Sequence, residues 1–260
     1  MKLMYVVWGS RLADSLLSKD LHQRLAAVGA TGLQVNTDVS QALPRLATYD
    51  RPLGAVVSVW TRESATAVTE LISSVGDNLA GWLVQEGGPL PPPATGSGVR
   101  VDALSNIALL RIPEGMHRLE WFRRWEDHCT GIGMKNHATF GYAQNTVVGP
   151  LVEGCRVGAI VEELPPTAAL TGAPALCGDS RDGLEQRAAR MIQSFAVFGA
   201  GANVDVIPTS RYAFDLPTSR RNRLSPGTTG GRLPLPTDPP MSGRFLTPVR
   251  NSPAMLKGNP

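Results

Sequence analysis

The 260 residues are 42% apolar and 18% charged, enough to bury a core as one large domain or two small ones. No run of 18 apolar residues occurs, the apolar stretch after Met1 is too short for a signal core, and the three cysteines include no C-x-x-C. A membrane-spanning helix is therefore excluded, a secretion leader is not expected, neither a disulfide framework nor a thiolate zinc site is indicated, and a cytoplasmic setting is expected. The net charge of +3 is uneven: residues 215–260 hold seven Lys/Arg against Asp215 and Asp238, leaving the other 214 residues at −2 and without the charge of a nucleic-acid surface.

In chain order, Lys2–Trp8 is β-branched and aromatic and predicts a strand ending at Gly9. Leu16, Leu17, Leu21, Leu25 and Ala26 recur at helical spacing, with Ser15 as N-cap. Residues 32–36 and 54–60 predict two further strands. Ser64 opens a helix with Val68, Leu71, Ile72 and Val75 on one face, and residues 79–84 predict a fourth strand. The stretch that follows, with three successive prolines at 91–93, reads as a linker over 87–104.

The second part repeats the order. Strands are predicted over 106–112, 138–148, 158–164 and 203–207, with helices over 116–135 and from Leu184 to Gly199. An offset of 104 aligns the first and third strands of both parts. Two ferredoxin-like βαββαβ units are thus expected, at 1–86 and 105–214. Strands such as Met4–Trp8 and Ile107–Leu110 are apolar on both faces, so each sheet needs a second covering layer. The expectation is an intrachain pseudo-dimeric α+β barrel. Residues 215–260, with nine prolines in 46 residues, read as a disordered basic tail.

No P-loop, G-x-S-x-G or H-E-x-x-H motif is present, so any chemistry falls to side chains in a cavity. Trp121, Trp125 and His128 share one helix face. A histidine beside two indoles suits proton transfer, with haem ligation as a lesser alternative and a dipole-favoured C-terminal histidine as the structural one. Phe140, Tyr142 and Gln144 share a strand face, the mixture of bulk and orienting polar groups that an apolar pocket needs. Glu162 and Glu163 point to opposite faces; the one turned inward would be a desolvated carboxylate with a raised pKa, a candidate base. Tyr212, after the last predicted strand, could close the pocket mouth.

Trp121-Phe-Arg-Arg-Trp-Glu-Asp-His128 followed by Ala138-Thr-Phe-Gly-Tyr-Ala-Gln-Asn145 resembles the EthD family of the dimeric α+β barrel superfamily. One departure is that His128 lies three residues after Trp125, with Cys129 at the fourth place that the family histidine usually takes. The resemblance implies a cavity for a small hydrophobic, aromatic or polyketide-like molecule, in a cofactor-independent oxidoreductase, lyase or isomerase. The expected catalytic residues are His128, Tyr142 and Glu163, and the expected substrate-binding residues Trp121, Trp125, Phe140, Gln144 and Tyr212. No cofactor, metal, nucleic acid or membrane partner is expected, and the chain would be a monomer or homodimer. The alternative is a non-catalytic binding or interaction protein whose tail docks a partner.

Overall fold

The computed structural model describes residues 1–38, 53–129, 139–152, 156–165, 193, 195–200 and 204–217. The expected tail beyond 217 and most of the expected helix over 184–199 lie outside these residues. The elements run β1 (Lys2–Trp8), α1 (Leu12–Leu16), α2 (Lys19–Ala27), β2 (Ala30–Asp38), β3 (Ala55–Thr61), α3 (Ala65–Ser73) and β4 (Asn78–Leu90). They continue as β5 (Ser105–Arg111), α4 (Arg118–His128), β6 (Tyr142–Val152), β7 (Val157–Glu163) and β8 (Val204–Asp215). Among the described residues no helix is long and apolar enough to cross a membrane.

The eight strands form one closed antiparallel barrel in the order β1-β3-β2-β8-β5-β7-β6-β4. This corrects the expected pair of ferredoxin-like units forming a pseudo-dimeric α+β barrel. There are no two sheets packed through their faces; β2 hydrogen-bonds to β8 and β4 to β6, carrying one ladder across both seams. The physical reason is the sheet edge. Four-stranded sheets would leave rows of unpaired N–H and C=O groups, and closure removes every edge. Closure also accounts for strands that are apolar on both sides: one face fills the barrel and the other carries helices.

On β1, Met4, Val6 and Trp8 point inward and join Val56, Trp82, Ile107, Leu109, Ile160 and Ile207 in the barrel core. Leu3, Tyr5 and Val7 point outward, under Leu12, Leu16, Leu21, Leu25, Val68 and Ile72 of the first three helices. The single helix expected from Ser15 is two, because Ser18 interrupts it: its side chain accepts from the Leu21 N–H and caps α2. Leu110, Ala159 and Val161 of the second half face outward beneath α4.

One end of the interior is polar. Glu162, 3% exposed, accepts from Ser105 Oγ at 2.7 Å, Asn36 Nδ2 at 3.0 Å and Gln34 Nε2 at 3.0 Å. Arg211 Nε lies 3.3 Å from the same carboxylate, and Arg211 Nη2 donates to Gln34 Oε1 at 3.0 Å. Contributions from β2, β5, β7 and β8 thus meet at one carboxylate, whose charge is compensated by the guanidinium. Lys2, also buried, donates to Glu86 Oε1 at 2.6 Å and lies over the Trp60 ring.

Candidate functional site

Helix α4 begins where His117 caps it, its Nδ1 accepting from the Leu119 N–H. Its apolar stripe turns Trp121 and Trp125 onto the outer face of the second-half strands, the rings stacked with centroids 5.7 Å apart. Gly158 makes this approach possible: a Cβ there would sit 2.7 Å from the Trp121 ring. Trp121 is fully buried packing and does not line the cavity described below; the edge of Phe198 meets its ring.

Beside Trp125, between the helix and the outer face of the sheet, lies a cavity of about 380 Å³. Its floor is the outer face of the second-half strands, including Leu110, Tyr142, Val161 and Glu163; its roof is Trp125 and His128 with Phe195 and Phe198. The two phenylalanines come from a helical turn at 195–198 that ends at Gly199, with φ +79. A Cβ at Gly199 would lie 2.2 Å from Pro113, so a larger residue could not close the turn there.

In the cavity lining, Tyr142 and Glu163 are directly paired across β6 and β7. His128 is 7% exposed, its ring centroid 5.0 Å from each of Phe195 and Phe198. The Tyr142 hydroxyl and the Cys129 thiol hydrogen-bond at 3.4 Å. Burial, then the neighbouring Cys129 and Glu163, push the Tyr142 phenol far above its ordinary value, so it remains an O–H donor. Burial likewise pushes the Cys129 thiol up to about 11, which keeps it protonated and inert as a nucleophile at neutral pH.

The geometry brings together four of the eight residues singled out in the sequence: Trp125, His128, Tyr142 and Glu163. Gln144 lies on the same strand face, where its amide interacts with both Cys129 and Tyr142. Phe140 is displaced, because β6 begins at Tyr142 rather than at 138; it packs against Val101, Ala103 and Leu164. Tyr212 is also elsewhere, since β8 runs on to Asp215 and places it opposite Val35 on the first-half side. Of the two glutamates, Glu162 faces the barrel interior and Glu163 the cavity.

Sequence reading missed Cys129, Phe195 and Phe198 as parts of the site. The phenylalanine spacing of three was the available signal. Among the described residues no group of three or more His, Cys, Asp or Glu converges as a metal site would require.

No protein-family model matches the chain, and no curated protein matches it. The EthD resemblance therefore rests on the quoted residues alone. Among solved structures, the chain is similar to an anthrone oxidase-like protein, at 10% identity and TM-score 0.48, over 83% of this chain and 92% of that one. It is also similar to a proposed monooxygenase from Lactobacillus acidophilus NCFM, at 7% identity and TM-score 0.44, over 83% and 95% of the two chains. These likenesses are coarse, and no function is drawn from them.

Proposed function

We propose that this protein binds a small, largely apolar molecule in the cavity between α4 and the second-half strands and transfers a proton on it without a cofactor. The observation that carries the reading is the cavity itself: apolar and aromatic walls that His128, Tyr142 and Glu163 also line. Glu163 or His128 removes a proton from an activated C–H or O–H of the ligand. The Tyr142 O–H then stabilises the anion that forms, since its bond to a thiol is weak and yields to a better acceptor. Such a step is common to isomerases, lyases and cofactor-independent oxidoreductases, and the final class depends on what the ligand anion does next.

Native mass spectrometry and an absorption spectrum of the purified chain test the binding. A co-purified small molecule is expected, and it should be absent from Val206→Trp, which fills the cavity. Retention of the same molecule in that variant would remove the cavity from the account. With the molecule identified, His128→Ala and Glu163→Gln should each lower turnover by about 10²-fold or more. Unchanged turnover in both would leave a binding protein without this chemistry.

A further inference from the structure

We propose that the cavity selects uncharged ligands that carry a hydrogen-bond-accepting oxygen, such as ketones, and rejects carboxylates of the same shape. This rests on the cavity being the ligand site. Among the described residues that line it, none is Lys or Arg, whereas Glu163 is acidic.

Of the described arginines on the surrounding elements, four are committed elsewhere. Arg111 of β5 points into the barrel and pairs with Asp205. Arg211 of β8 serves Glu162 and Gln34. Arg118 of α4 donates to the Val147 carbonyl, and Arg124 to Glu120 and the Val197 carbonyl. Arg123 and Arg156 are exposed.

Glu163 engages a neighbour within the protein, and the inference does not require its charge to be bare. It requires that an entering anion meets no guanidinium or ammonium among the described residues of a largely apolar lining, where charge without a counter-charge is costly. Among the described lining residues His128 is the one basic side chain, and Phe195 and Phe198 pack beside its ring. The Tyr142 O–H remains a donor and calls for an oxygen acceptor on the ligand.

The test compares 2-acetylnaphthalene with 2-naphthoate, which share a skeleton and differ in one methyl ketone against one carboxylate. Affinities for the full chain at pH 7.5, about a unit above the ordinary histidine range, are read from quenching of Trp125 fluorescence and checked by calorimetry. The ketone should bind at least about tenfold tighter. Tyr142→Phe should weaken the ketone by about three- to tenfold, and Glu163→Gln should narrow the ratio. Val206→Lys, placing an ammonium on the wall, should reverse the preference.

Equal binding of the two probes, or preference for naphthoate in the unmodified chain, overturns the charge selection while leaving the cavity reading intact. Binding that persists in Val206→Trp, or failure of both probes to bind, overturns the cavity reading and the selection with it. The comparison in the unmodified chain decides the matter even where a variant does not fold.

Discussion

The two outer layers of the barrel are built on the same kind of strand face and finished differently. In the first half, α1, α2 and α3 lay Leu16, Leu25, Val68 and Ile72 onto Leu3, Val57 and Val59, and these side chains are fully buried. The Tyr5 hydroxyl in this layer is satisfied by Thr69 Oγ1 at 2.9 Å. In the second half, α4 and the turn at 195–198 leave a cavity and place three ionisable side chains on it. Close packing beneath α1, α2 and α3, with an open groove only along α3 and Leu151, thus contrasts with the cavity beside α4. The barrel core between them serves both.

Truncation should expose this difference most strongly. Ile72→Ala is expected to lower stability by about 2–5 kcal/mol in urea unfolding, because the tightly packed layer cannot collapse around the lost atoms. Ligand binding by the second half should survive under conditions where the variant is folded.

Alkaline pH should loosen the halves in sequence. Folding raises the Cys129 thiol from 9.0 to about 11, with burial as the main cause. Its stabilisation is complete below pH 9 and lost as pH rises through about 11. The Tyr5 phenol is raised by burial from 10.0 to about 12, so its contribution is lost from pH 10 upward. Hydrogen exchange should therefore report loosening of the α4 region before the α2 and α3 region, at about 2–3 kcal/mol for each group. Simultaneous loosening would argue that the two layers are not separate.

Lys2 should act in the opposite direction. Burial lowers its folded-state value below 10.5, against the pull of Glu86, so between the two values the unfolded chain binds more protons and stability rises with pH. Lys2→Met should remove that rise from a stability–pH profile.

The smallest change belongs to the cavity wall. Val206→Ala should cost less than about 1 kcal/mol, since the methyl groups it removes already border open space. A cost equal to that of Ile72→Ala would mean that the wall is packed as tightly as the first-half layer.

Local pattern accounts for much of what was readable in the sequence. Runs of β-branched and aromatic residues located the strands, and the need for cover on both faces of Met4–Trp8 followed from composition alone. The pairing of β2 with β8 and of β4 with β6 was not readable, because seams between distant strands leave no local mark. Gln34 and Asn36 alternate with apolar residues and Ser105, Thr209 and Arg211 stand in more polar stretches, both as solvent-facing groups do, yet they meet inside the barrel around Glu162. For the same reason, the polar run from Thr209 to Tyr212 looked like an exit turn when it is the middle of β8. In the site, helical spacing gave Trp125 and His128, and strand alternation separated Glu162 from Glu163. Which of those two glutamates faced a ligand depended on the global fold.

The adjacency of Glu162 and Glu163 on β7 has a further consequence. A slip of that strand by one residue has one of two outcomes: Glu163 takes the place beside Arg211 and Leu164 replaces the acid on the cavity, or Glu162 moves onto the cavity and Arg211 is left facing Val161. The buried ion pair therefore opposes only the slip that would bring Val161 beside Arg211. A single-residue insertion or deletion within β7 would cost either the interior ion pair or the acid on the cavity.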